Sequence, residues 1–342
     1  MIVASCPIPL TRYPTVQLAH GGGGSLTRKL IEEMFLAVLD NPLLRTLQDG
    51  VVLPETSNQQ LAMTTDSYVV HPLFFPGGDI GKMAVCGTVN DLAMCGAEPQ
   101  YLTLGLILEE GLPIDDLWKV ICSVGATAKA CGVQIVAGDT KVVDKGHGDG
   151  VYINTTGVGA VRHLMDPAVA MQPGDVILLC GDVGRHGVAI LAEREGLEFQ
   201  TTIESDCAPL NGLVGALLDA GITPRSMRDL TRGGLATALV ELASDCEVEL
   251  RASAIPVEAE VGSACELLGL DPLYVANEGR MIAVVAKAQA EAALEVMKKA
   301  NPDAGMIGVV KEAARGSVTL LSDFGTARRL DLLSGEQLPR IC

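Results

Sequence analysis

Residues 165–175, MDPAVAMQPGD, hold two prolines and a glycine and split the chain into two successive series of mixed helix and strand signals. In the first series, LAMTTDSYVV reads as a strand that delivers Asp66, near its end. GGDIGKMAVCGTVNDLAMCGAEP reads as a helix closing on Gly96, with Ile80, Ala84, Gly87, Asp91 and Met94 on one stripe. YLTLGLIL alternates, with Leu102, Leu104, Leu106 and Leu108 on one face, the pattern of a half-buried strand. A helix over 114–131 and the strands VQIVAG and VYINTTGVGAV complete this half. Upstream, Ser25 is a fair N-cap for a helix carrying Leu26, Leu30, Met34 and Val38. In the second series VILLCG is a strand, and helices follow near 186–195 and 209–220. RDLTRGGLATALVELASDC is a loop running into a helix. VELRAS, RMIAVVA, 305–310 and 317–322 are strands, and KAQAEAALEVMKKA is a helix. Sequential strand pairs in both halves suggest antiparallel pairing. At 342 residues the chain has length for about two domains, at roughly 150 residues each.

The formal net charge of -17 repels phosphate backbones, and 3% aromatic residues leave little for base stacking. No nucleic-acid partner is expected. An acidic chain that handles a polyanion needs metal ions between the charges. The ten cysteines are scattered singly with no CxxC pair, which is neither a disulfide framework nor zinc-knuckle spacing. Most are expected inside as small apolar residues, reduced, in the cytoplasm. No uninterrupted apolar run reaches roughly 18 residues, and the N-terminus lacks a basic segment before its apolar run, so neither a membrane span nor a signal peptide is expected.

Several acids stand beside small residues at strand or turn positions: Asp49 in LQDG, Asp66 in TTDS, Asp139 in VAGDTK and Asp229 in RDLTRGG. Asp91 lies on an otherwise apolar helix stripe, where a carboxylate is costly unless a cation or strong donors meet it. Oxygen donors of this kind suit Mg²⁺ with phosphate, although DG and GD are also ordinary turn signals. HGGGGS, residues 20–25, reads equally as a flexible linker or as an anion seat ahead of a helix N-terminus. GGDIGK is not a P-loop, because its spacing is short and no Ser or Thr follows Lys82. Lys141 and Glu278 (in ANEGR) read as solvated or paired charges alone, and as proton-transfer candidates beside a phosphate site. The last residue, Cys342, is either a stray thiol or a working group on an arm.

TTDSYVVHPLFFPGGDIGKMAVCGTVNDLAMCGAEP, VAGDTKVV, RDLTRGGLATAL, ANEGR and the terminal PRIC together resemble the HypE family of hydrogenase maturation proteins, within the superfamily of aminoimidazole ribonucleotide synthetase, selenophosphate synthetase and thiamine-monophosphate kinase. The resemblance runs over essentially the whole chain, and the PRIC ending belongs to the maturation branch. It implies a two-domain α/β (α+β) fold of the aminoimidazole ribonucleotide synthetase type. Residues 1–40 would be a lead-in with the glycine-rich loop. Residues 41–163 would be an ATP-binding domain that forms a dimeric β-barrel, 174–333 an α/β lobe, and 334–342 a flexible tail.

The implied reaction is ATP-dependent dehydration of an S-carbamoyl group on Cys342 to a thiocyanate, the source of the cyanide ligand on the iron of [NiFe]-hydrogenase. The implied partners are a second copy of the chain, a HypF-type carbamoyltransferase and a HypC–HypD complex that carries iron. Cys342, Lys141 and Glu278 are the implied catalytic residues. Gly22, Gly23, Asp66, Lys82, Asn90, Asp91, Asp139 and Thr140 would hold ATP, and Asp49, Asp66, Asp91 and Asp229 would hold Mg²⁺. A tail over 335–342 would reach at most roughly 25 Å, Pro339 would stiffen it, and Arg340 would steer it toward phosphates or an acidic groove. Two other readings share part of the pattern: a small-molecule kinase or synthetase that uses the acids but not Cys342, and a scaffold that presents its tail and leaves the acids idle.

Overall fold

The structure is a computed structural model and describes residues 24, 25, 28, 32, 51–56, 59–166, 171–196, 203–243, 245–312, 316–333 and 341. Of the expected N-terminal helix, Ser25 donates its N–H to the Leu333 carbonyl at 2.9 Å and Arg28 pairs with Glu32. Gly22, Gly23, Asp49 and Cys342 lie outside the described residues.

The first lobe is a five-stranded sheet in the order β1-β2-β7-β5-β6, built from β1 (Val51–Thr56), β2 (Gln59–Tyr68), β5 (Ala97–Glu109), β6 (Gln134–Val143) and β7 (Val151–Val161). A short hairpin, β3 (Phe74–Phe75) with β4 (Gly78–Asp79), leads into helix α1 (Ile80–Met94). Helix α2 (Ile114–Cys131) follows β5 and ends on Gly132 in the left-handed region. Both helices cover the same sheet face. Leu102 of β5 packs with Val85 and Val89 of α1 and with Val124 and Ala128 of α2. Alternation along β5 follows the reading from sequence, with Leu102, Leu106 and Leu108 buried and Tyr101 and Ile107 exposed on the opposite, open face.

The second lobe carries a seven-stranded sheet, ordered β14-β13-β10-β12-β8-β11-β9, from β8 (Val176–Leu179), β9 (Ser226–Asp229), β10 (Cys246–Arg251), β11 (Met281–Val285), β12 (Gly305–Glu312), β13 (Ser317–Leu321) and β14 (Ala327–Leu330). Its helices are α3 (Arg185–Glu195), α4 (Asn211–Asp219), α5 (Gly234–Leu242), α6 (Ala259–Leu268) and α7 (Ala290–Ala300). Strand β11 is buried along its whole length.

Three local readings are corrected. Helix α1 is not a one-stripe helix. Apart from Lys82 and Asp91, all of its residues are buried, because Val85 and Val89 pack on the first sheet while Ala93 and Met94 pack among Leu210 and Met227 of the second lobe. Strand β6 runs past Asp139 to Val143, so Asp139 is mid-strand, held there by parallel pairing with β5 from Tyr101 to Glu109. RDLTRGG is a strand end before it is a loop, since Ser226–Asp229 pairs antiparallel with β11. Antiparallel pairing dominates, with one parallel pair in each sheet, β5–β6 and β10–β13.

Candidate functional site

The lobes meet over α1, and a cavity of about 170 Å³ opens at that junction. Strand β2 supplies Asp66, Ser67 and Tyr68 to it, α1 supplies Gly87 and Asp91, the end of β9 supplies Asp229 and the turn after it Thr231 and Arg232, and the loop before β11 supplies Glu278. The end of β2 closes on α1 because residue 87 is a glycine. A Cβ there would sit 2.3 Å from the Tyr68 hydroxyl. That hydroxyl pairs with Thr88 at 3.3 Å, and Thr88 pairs with Thr155 of β7. Burial, reinforced by Asp66 and Asp91, pushes the Tyr68 phenol well above its usual pKa, so it stays neutral.

The acids are held by different means. Asp91 accepts the Thr64 hydroxyl at 2.9 Å, and Asp66 accepts the Ser67 N–H at 2.7 Å. Burial raises the Asp66 carboxyl above its ordinary value despite the Ser67 hydrogen bond and the Arg232 charge. Glu278 is 3% exposed. Burial pushes its carboxyl well above the usual range, and Cys207, Asp229, Asp66 and Asp206 push the same way. The loop that carries it is pinned from below. Asp206 accepts the N–H groups of Glu278 and Gly279, both at 3.2 Å. A Cβ on residue 279 would lie 2.1 Å from the Asp206 carbonyl oxygen, so only glycine fits under that turn. Arg280 locks the next step, bonding Asp182 at 2.6 Å and facing Asp206 at 3.9 Å.

The chain's penultimate residue comes back to this region. Ile341 is 6% exposed, forms an isolated antiparallel bridge with Val70 and accepts a hydrogen bond from His186 of α3 at 2.6 Å. Val70 lies two residues beyond the cavity-lining Tyr68. Burying an isoleucine side chain is worth about 1.5–3 kcal/mol and one hydrogen bond about 0.5–1.5 kcal/mol, before the cost of ordering the segment. At about 1.4 kcal/mol per tenfold, such a seat is one the chain end can leave.

Residues 47–161 match the family model of the N-terminal domain of AIR synthase related proteins, and residues 172–321 match that of the C-terminal domain. A carbamoyl dehydratase HypE from Cupriavidus necator is 51% identical over 333 residues, covering 96% of this chain and 95% of that one. The chain belongs to the HypE family. A HypE–HypF complex has a TM-score of 0.83 at 44% identity, covering 89% of this chain and 99% of that one. A HypE solved with ATP has a TM-score of 0.79 at 47% identity, covering 96% and 100%.

The candidates among the described residues fall into three groups. Asp66, Asp91, Asp229 and Glu278 converge on the cavity. Asn90 and Lys82 do not line it and serve backbone. Asn90 is buried, donates to the Ala208 carbonyl at 3.1 Å and accepts the Leu210 N–H at 2.7 Å, which ties α1 to the second lobe. Lys82 donates its ammonium to the Gly77 carbonyl at 2.8 Å. The third group, Asp139, Thr140 and Lys141, is on edge strand β6. Asp139 and Lys141 form an exposed pair at 2.8 Å, 71% and 69% accessible. Register explains the separation. Asp66 pairs with Thr155, Thr155 with Leu104 and Leu104 with Gly138, a row on the helix-covered face, whereas Asp139 is in the next row, with Gly105 and Asn154, on the open face.

Sequence reasoning missed Thr64, Tyr68, Asp206, Arg232 and His186. Arg232 and Tyr68 stand inside RDLTRGG and TTDSY, so their motifs were in view. Asp206 and His186 act through backbone groups brought close by the fold, and no local pattern marks them. Six of the eight described cysteines are buried and none of the eight is in a disulfide, in line with their reading as small apolar residues. No helix among the described residues is long and apolar enough to cross a membrane.

Proposed function

We propose that the chain is an ATP-dependent carbamoyl dehydratase that acts on its own terminal cysteine and supplies cyanide for the iron of [NiFe]-hydrogenase. The observation that carries this reading is the joint arrival of the acid cavity and the buried Ile341 at the end of β2, because Ile341 is bonded directly to Cys342. A small-molecule kinase has no use for a seat that receives the chain end. A scaffold has no use for a cavity of desolvated acids.

The substrate is Cys342 S–C(=O)NH2. Its carbonyl oxygen takes the γ-phosphoryl group of ATP and leaves as inorganic phosphate, the two N–H protons are given up, and the C≡N bond forms on sulfur with ADP as the other product. Phosphorylation replaces hydroxide by a far better leaving group. Glu278 is the residue for the proton chemistry. Burial raises its carboxyl well above the usual range, so once ionised it is a stronger base than an ordinary carboxylate. The protein atoms that face the cavity from Asp66, Asp91 and Asp229 are hard oxygens crowded with like charge, a donor set that fits Mg²⁺. Such an ion, bound there, would neutralise phosphate charge. Among the described residues no three His, Cys, Asp or Glu side chains form a ready-made cage, so these carboxylates would share the ion with phosphate and water. Buried Tyr68 lines the cavity and is held by the Thr88–Thr155 pair behind it.

Asp139, Thr140 and Lys141 would join this chemistry through a homodimer. The open face of the first sheet exposes Met63, Tyr101 and Ile107, and β6 is an unpaired edge, features that a second copy would cover in a shared barrel. A HypF-type carbamoyltransferase would load Cys342, and a HypC–HypD iron carrier would receive the cyanide, in the cytoplasm. The test is the mass of the terminal peptide after carbamoylation and addition of ATP. Loss of one water from the carbamoylated peptide is expected. A carbamoyl group that persists while ATP is hydrolysed would refute the reading.

A further inference from the structure

His186 is fully buried in α3, and both of its ring nitrogens are engaged. The partners settle the tautomer. Nε2 lies 2.6 Å from the Ile341 carbonyl oxygen, which only accepts, so Nε2 carries the hydrogen. Nδ1 lies 2.8 Å from the Ser205 hydroxyl. That oxygen already accepts the Cys207 N–H at 3.1 Å, and it gives its own hydrogen to Nδ1. The relay runs from the Cys207 N–H through Ser205 and His186 to the Ile341 carbonyl, one donor to one acceptor at each step. Burial lowers the His186 pKa, which keeps the ring in the neutral form this relay needs. Phe75 holds the ring edge-on, with centroids 5.6 Å apart at 80°. Ile341 itself packs in the apolar cluster of Val70, Phe75, Val188 and Cys207.

The relay is joined to the acid cavity through one short stretch of chain. Ser205 meets His186. Asp206, next in sequence, accepts the Glu278 and Gly279 N–H groups, and Ala208 donates to the Glu278 carbonyl at 3.3 Å. The seat of the penultimate residue and the placement of Glu278 are therefore set by the same segment.

We infer that His186, oriented by Ser205, is a positioning residue that grips the backbone of Ile341 and thereby registers the terminal thiol against Glu278, an inference that rests on the dehydratase reading above. His186 does not touch the reacting group. It acts through Ile341, whose apolar side chain is the second half of the grip.

The test measures the seat and the chemistry separately, in the full-length protein. Alkylation of Cys342 in the uncarbamoylated chain, read by mass on the terminal peptide released by cyanogen bromide after Met306, in which Cys342 is the single cysteine, reports how often the chain end leaves its seat. His186→Phe keeps a ring against Phe75 and removes the donor. It should raise the alkylation rate about tenfold and slow single-turnover dehydration of the pre-carbamoylated chain at least about fivefold, because small misplacements of a reacting group are costly. Nucleotide affinity should not change. His186→Gln restores an N–H donor and should recover most of both losses. Ile341→Glu breaks the apolar half from the tail side, where it cannot unfold the lobes, and should also raise alkylation about tenfold.

Alkylation within twofold of wild type in both His186→Phe and Ile341→Glu would overturn the inference, whatever the activity. So would raised alkylation with undiminished dehydration in His186→Phe. If the seat behaves as expected but wild type never dehydrates its carbamoyl group, the dehydratase reading falls and the grip on the chain end stands.

Discussion

Asp66 and Asp139 occupy strands of one five-stranded sheet, in the similar settings TTDS and AGDT, yet they inhabit opposite environments. Asp66 is on the helix-covered face, in a cavity with Asp91, Asp229 and Glu278, where burial raises its pKa. Asp139 is one row away on the open face, 71% exposed and satisfied by Lys141. A shift of one residue along a strand exchanges its faces, so an aspartate among small residues is desolvated in one place and part of a solvated ion pair in the other. The lesson is that carboxylates beside small residues announce a site, while register decides which of them share a cavity within one chain.

The largest effect expected from this contrast is on the buried side. Glu278→Gln should leave carbamoylation of Cys342 intact and slow ATP-dependent thiocyanate formation by about 10²–10⁴-fold, measured in a single turnover. Loss of less than tenfold would break the assignment of proton transfer to the cavity.

A second effect, intermediate in size, is thermodynamic. The folded chain holds the Glu278 proton more tightly than the unfolded chain, because burial raises the carboxyl. That contribution is whole below the ordinary carboxylate value of about 4.3 and is lost as pH rises through the folded value. Glutamine does not titrate. The Tm advantage of Glu278→Gln over wild type should therefore grow from acid to neutral pH, reaching at least about 2 °C in differential scanning calorimetry. A difference that is flat with pH would mean that Glu278 is not desolvated.

The smallest effect is expected on β6. A double-mutant cycle of Asp139→Asn and Lys141→Met should give a coupling of at most about 1 kcal/mol in denaturant unfolding, since both groups are solvated. A larger coupling would show that the pair is buried in solution, as the proposed dimer of open faces would make it, and would sharpen the comparison into one between two halves of a composite site.

Much of this arrangement was readable beforehand, for identifiable reasons. Alternation placed the buried face of β5, because a half-buried strand must repeat with its own geometry, and the helix expected over 114–131 is α2. The family resemblance brought Asp49, Asp66, Asp91, Asp139, Asp229 and Glu278 into one proposal; Asp66, Asp91, Asp229 and Glu278 line one cavity and Asp139 does not. The environment of α1 was not readable. Its Gly81, Gly87, Ala84 and Ala93 are small because it is packed between two lobes, and a helix buried all round carries no moment to detect. The seat for Ile341 was also invisible, since it joins residues 70, 186, 205 and 341, far apart in sequence, and its contacts to Ile341 are to backbone atoms that carry no sequence signature.

The most direct test follows the oxygen atom. The full-length chain carrying a heavy-oxygen label in the Cys342 carbamoyl group is mixed with ATP for a single turnover, and inorganic phosphate is analysed by mass. The account predicts one labelled oxygen in the phosphate for each thiocyanate formed. Thiocyanate formation with the label recovered only in water would contradict it.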